Sequence, residues 1–125
     1  MYEDVFFSLF FSLLILSFLG FLYTRDMPSA LQYLTSLEAQ EIFTQYPLSA
    51  VYLFGSQARG DAHDESDIDL MYEVGADARF TLFDMFAFQR DIESISGRKV
   101  DVVSRTALRD DIRPYVESEK IQVYP

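Results

Sequence analysis

The chain has 125 residues, half of them hydrophobic, which is enough for one modest domain with a buried core and too apolar for a disordered tail. Twenty acidic residues against ten basic ones give a formal charge of -10, which argues against nonspecific attraction to a nucleic-acid backbone. With no cysteine and a single histidine, His63, there is no disulfide framework, thiol nucleophile, Cys-ligated zinc or histidine cluster.

Residues 5–23 carry no charge and are rich in Phe and Leu. A helix of that length spans about 28 Å, near the roughly 30 Å hydrocarbon core of a bilayer. Glu3 and Asp4 precede the run and Arg25 follows it, which favours an outside N-terminus and a cytoplasmic remainder. Two other readings stay open: the run packs against a partner, or the natural start is Met27. The expected organisation is a hydrophobic segment over residues 1–26 and one domain over residues 27–125. That domain is cytoplasmic, or tethered to the membrane from its cytoplasmic side if the run is genuine.

Pro28 suits the first turn of a helix, and Leu31, Leu34, Leu37, Ile42 and Phe43 recur at helical spacing as far as Tyr46, before Pro47. This predicts one amphipathic cover helix. Residues 50–54 (AVYLF) read as a buried strand that feeds a tight turn at Gly55. A polar stretch over 57–66 leads into a second strand over 68–74 (IDLMYEV). Phe80, Phe83, Phe86, Ala87, Ile92 and Ile95 predict the core face of a second long helix, which Gly97 is placed to end. Residues 99–103 (KVDVV) predict a third strand, far enough inside the sheet for a helix to cover one face. Residues 106–119 read as helical with a kink at Pro114, and 121–124 as a short terminal strand or tail. The fold class expected is mixed α/β (α+β), a single small domain with a mixed β-sheet flanked by helices and preceded by an apolar N-terminal helix.

The chemistry concentrates in residues 53–70, LFGSQARGDAHDESDIDL. Asp67 and Asp69 stand two apart at the head of a strand, so both carboxylates face one side. Two like charges so close are tolerable mainly with a cation between them, and carboxylate oxygens suit Mg²⁺, a hard ion that also binds substrate phosphates. Asp101, in the middle of a predicted strand, is costly to bury unless it is paired or ligates a metal. If its strand neighbours that of Asp67 and Asp69, three carboxylates converge and could hold one or two metal ions for in-line phosphoryl chemistry. Gly55 lets backbone approach a phosphate closely, and the N–H groups and hydroxyl at Ser56 can cradle phosphate oxygens. Arg59 either adds charge to the phosphates or pairs with Asp61 or Asp64. Ser66 reads as a cap that fixes the geometry ahead of Asp67 at the nucleotide end of the site, and His63 as an exposed loop residue.

The stretch GSQARGDAHDESDIDL, a Gly-Ser pair, ten residues and then D-x-D, resembles the signature of minimal nucleotidyltransferases of the DNA polymerase β-like superfamily. The G-S-x-A-R-G and S-D-I-D-L wording is similar to small stand-alone members that pair with HEPN-domain proteins in prokaryotic toxin–antitoxin modules. The resemblance extends over about residues 29–124. It implies that Gly55 and Ser56 bind the triphosphate, that Asp67 and Asp69 hold Mg²⁺, and that Asp101 is the third carboxylate. It further implies transfer of AMP from ATP to a hydroxyl, in some members a tyrosine of a HEPN toxin. The N-terminal hydrophobic run is the departure from the family pattern. Two alternatives remain at this level: a small-molecule nucleotidyltransferase similar to aminoglycoside-modifying enzymes, and a non-catalytic antitoxin that neutralises its partner by binding.

Overall fold

The computed structural model describes residues 8–16, 29–61 and 66–125. Residues 8–16 are helical (α1), with Leu9, Leu13 and Leu16 exposed. The remainder of the apolar run lies outside the described residues, as do His63 and Asp64. Among the described residues no helix is long and apolar enough to cross a membrane.

The expected single cover helix is two helices, α2 (Ala30–Leu34) and α3 (Leu37–Thr44). The break lies at Thr35 and Ser36, whose side chains offer the backbone an alternative to the helical ladder. Thr35 Oγ1 donates back to the Leu31 carbonyl at 2.8 Å, and Ser36 Oγ accepts from the Ala39 N–H as the cap of the next helix. The second turn of direction lets Leu34 and Phe43 both reach the core with no exposed surface.

Strand β1 (Leu48–Phe54) runs to Gly55, a four-residue helix α4 (Ser56–Arg59) follows, and β2 (Ile68–Val74) returns antiparallel to β1. Helix α5 (Leu82–Ser96) then crosses over to β3 (Val100–Ser104), which pairs parallel with β2. Thr81 and Asp84 form a reciprocal capping box at the head of α5, and Gly97 ends it in the left-handed region at φ 65. After a 3₁₀ turn (Arg105–Ala107) come α6 (Arg113–Glu119) and β4 (Ile121–Tyr124), which pairs antiparallel with β1.

Three expectations need correction. The sheet order is β3-β2-β1-β4, so β3 is an edge strand, although α5 packs against it. The region 106–119 is α-helical only over Arg113–Glu119, where Pro114 lies in the first turn and its missing N–H costs nothing, so no kink forms. On α5, Phe83 and Phe86 are 84% and 54% exposed. The inward stripe is Met85, Phe88, Ile92 and Ile95, so Ile92 and Ile95 face the core as expected, as does Phe80 just before the helix, while Phe83 and Phe86 do not.

The sheet separates two cores. Val51, Leu53, Ile68, Leu70 and Val100 face the helical layer, where Phe43 and Phe88 pack at 5.9 Å between ring centroids. Tyr52 and Met71 face the other side, under Leu108 and Val116 of the returning segment. Arg105 ties that segment down by bridging Glu73 at 2.8 Å and Glu117 at 3.0 Å across the Tyr52 ring.

Candidate active site

Strand direction brings the chemistry to one end of the sheet. The C-terminal end of β1 carries Gly55, and because β2 is antiparallel to β1 and parallel to β3, the N-terminal ends of both lie beside it. The register aligns Phe54 with Asp69 and Asp69 with Asp101, a single row across three strands. Alternation puts this row on the Tyr52–Met71 side of the sheet, which the helices of the other layer do not cover. Asp67 precedes Asp69 by two residues and shares its face.

Asp69 is the most constrained carboxyl. Burial, and after it the charges of Asp101 and Asp67, push its pKa up from 3.8 to about 6. Gly55 sits directly against it: with φ 74 the residue occupies a region that side chains avoid, and a Cβ there would overlap Asp69 Oδ2. The glycine that ends β1 is therefore required by the carboxylate that opens β2. Lys99 Nζ lies 3.6 Å from Asp67 Oδ2 and 3.9 Å from Asp101 Oδ1, a cation between the two outer acids.

The nucleotide end follows α4. Ser56 opens this short helix immediately after Gly55, and Gly60 closes it at φ 80. Gln57 Nε2 donates to the Ser66 carbonyl at 3.3 Å, joining the two ends of the connecting loop ahead of Asp67. Arg59 pairs with Asp61 at 3.4 Å and with Glu119 at 3.1 Å, so one of the two partners weighed for it from the sequence is present and the stronger contact is a residue the sequence did not single out.

The acids match a divalent cation in chemistry: hard oxygen donors, like charges in one row, and a carboxyl whose proton affinity is raised first by burial and then by its acidic neighbours. On the backbone, Asp69 lies opposite Asp101 on the neighbouring strand. Their side chains, however, are not drawn round one point, and among the described residues no group of three acidic or imidazole side chains forms a ready metal cage. The exposed Lys99 ammonium stands within ion-pair distance of both Asp67 and Asp101. Sequence reasoning missed Lys99 and Glu119. Lys99 was within reach, because it stands two before Asp101 on the same strand face; Glu119 was not, because its contact spans 64 residues.

The profile of the family described as "Polymerase beta, Nucleotidyltransferase" matches residues 38–125. The chain belongs to this nucleotidyltransferase family. Over 73 residues the nucleotidyltransferase is 33% identical to a candidate protein adenylyltransferase of Methanocaldococcus jannaschii, covering 58% of this chain and 70% of the relative. It shares its fold with a crystal structure of a toxin–antitoxin with AMP-PNP, at a TM-score of 0.59 and 20% identity over 70% of each chain. The same holds for a tri-AMPylated Shewanella oneidensis HEPN toxin in complex with its MNT antitoxin, at a TM-score of 0.51 and 18% identity, covering 72% of this chain and 71% of that one.

Proposed function

We propose that this nucleotidyltransferase moves AMP from ATP to a hydroxyl of a HEPN toxin, a tyrosine hydroxyl being the acceptor, and that it thereby acts as the antitoxin of the pair. The observation that carries the reading is the three-strand register, which aligns Phe54, Asp69 and Asp101 in one row, with Gly55 packed directly against Asp69. The adenylyltransferase relative and the shared fold with toxin–antitoxin complexes support it. The elements from α2 onward form one sheet with its covering helices, and in this reading the docked partner presents the acceptor hydroxyl.

In this mechanism Gly55 and Ser56 hold the β and γ phosphates of ATP through N–H groups and the Ser56 hydroxyl. Arg59 adds positive charge beside them, and Ser66 holds the loop end that aims Asp67. Asp67, Asp69 and Asp101 are the residues that would hold Mg²⁺, and a bound Mg²⁺ supplies Lewis-acid stabilisation of the charge that builds on the phosphates. Asp101, at the exposed edge of the sheet, orients the acceptor hydroxyl and takes its proton. The acceptor oxygen attacks the α-phosphorus in line, the new O–P bond forms as the bond to pyrophosphate breaks, and pyrophosphate leaves along the Gly55–Ser56 turn.

Intact-mass measurement of the HEPN partner after incubation with this protein, Mg²⁺ and ATP tests the reading. One or more AMP increments, mapped to tyrosine by fragmentation, are expected. An unmodified partner in a stable complex would favour neutralisation by binding alone, and AMP found by mass on an aminoglycoside added to a parallel incubation, with the partner unmodified, would favour the small-molecule alternative.

A further inference from the structure

The donors at the Gly55–Ser56 turn already have an anionic acceptor from within the chain. Gly55 N–H donates to Glu119 Oε1 at 3.0 Å. Arg59 Nη1 donates to both oxygens of the same carboxylate, at 3.3 and 3.1 Å. The Glu119 side chain is only 17% exposed, so this contact is built into the fold. One backbone N–H and one guanidinium converging on an anionic oxygen is how proteins hold a phosphate.

We infer that Glu119 is a built-in competitor of the triphosphate, a carboxylate that holds Gly55 N–H and Arg59 until a polyphosphate displaces it. The inference rests on the nucleotidyltransferase reading and adds a gate to the same site. Two anions cannot share these donors, and Asp69 lies close enough for the Glu119 charge to act on it. Displacement needs no unfolding. Lys120 N–H is bonded to the Val116 carbonyl and Ile121 pairs with Leu53, so the backbone on both sides of Glu119 is fixed and only its side chain has to swing away. Lys99 does the converse at the acids, standing as a cation between Asp67 and Asp101. The resting site is thus closed by the chain's own charges, with a carboxylate at the phosphate end and an ammonium at the metal end.

A competitor that occupies the donors about nine-tenths of the time lowers apparent affinity about tenfold. Calorimetric titration of the full chain and of its Glu119→Ala and Glu119→Gln variants with ATP, inorganic tripolyphosphate and adenosine tests this. ATP and tripolyphosphate are expected to bind the alanine variant about tenfold more tightly than the wild type, with the glutamine variant between them, and adenosine to bind all three alike. The glutamine variant keeps an acceptor for Gly55 N–H, so it reports even if the alanine variant folds poorly. Equal or weaker polyphosphate binding by both variants would overturn the inference, as would tighter adenosine binding, which signals general loosening. If ATP binds none of the three proteins, the nucleotidyltransferase reading itself falls, and the inference with it.

Discussion

Asp69 carries a conflict between stability and use. Its pKa is raised from 3.8 to about 6, chiefly by burial, so over that interval the folded protein holds a proton that the unfolded chain has released. The contribution of Asp69 to stability is therefore most favourable below about pH 4, falls as pH rises through the interval, and stays at its lower level above about pH 6, whereas Asp84 and Glu117, held below their ordinary values, work in the opposite sense in acid. Two units correspond to about 3 kcal/mol, an upper figure that solvent around a half-buried carboxyl reduces. Asp69→Asn in metal-free protein is expected to raise the melting temperature at about pH 7.5 and to leave it nearly unchanged at about pH 3.5, with AMP transfer abolished. An equal gain at both pH values in a thermal scan would contradict the assignment of Asp69 as the strained carboxylate. This residue was legible in the sequence because the constraint on it is local: a Gly-Ser turn and a D-x-D strand end within eighteen residues, positions 53–70. Lys99 and Glu119 reach the site through strand pairing and through a distant segment, and spacing along the chain carries no trace of the second of these.

Among the elements, α5 shows how composition can mislead period. Phe80, Phe83 and Phe86 repeat every three residues, and of these only Phe80, which precedes the helix, packs against the core, beside Tyr72, while Phe83 and Phe86 are exposed. The sheet instead receives Met85, Phe88 and Ile92, spaced by three and four, which follows the true pitch of the helix. Phe88→Ala is expected to cost about 3–5 kcal/mol by leaving a cavity beside Phe43, whereas Phe83→Ala should change stability by under about 0.5 kcal/mol. Urea denaturation of the two variants checks the contrast, and similar losses in both would mean the helix sits in another rotation. The boundary between α2 and α3 was hidden for a related reason. Apolar spacing continues across it, while the hydrogen bonds of Thr35 and Ser36 decide where the helix stops. The sequence marks β3 as a strand but does not mark its position, because five apolar-rich residues read alike at an edge and in the interior, and only the return of β4 to the far side of β1 makes β3 an edge.

On the scale of the molecule, both cores are made of residues from Ala30 onward, and the two sheet faces divide the work. The helical face supplies stability. The other face, held by Arg105, Glu73 and Glu117, carries the acids at one end and brings Glu119 to the same end. Protein that begins at Met27 is therefore expected to keep the melting temperature of the full chain within a few degrees and to bind ATP equally well. A large loss of either in the shortened protein, by thermal scan and calorimetry, would show that the N-terminal run belongs to the domain. The fold class could be read from the sequence at this scale because each strand is bounded by its own glycine, proline or polar stretch, and the parallel β2–β3 pair needs the crossover helix that the sequence also displays.

The central claim is that Asp67, Asp69 and Asp101 serve a transfer of AMP to protein. The most direct test incubates the protein and its HEPN partner with Mg²⁺ and ATP labelled either at the α- or at the γ-phosphate, beside an Asp67→Asn/Asp69→Asn control. The account predicts label on the partner from α-labelled ATP, none from γ-labelled ATP, and none in the control. Label from the γ-phosphate, or α-label that persists without the two carboxylates, would contradict it.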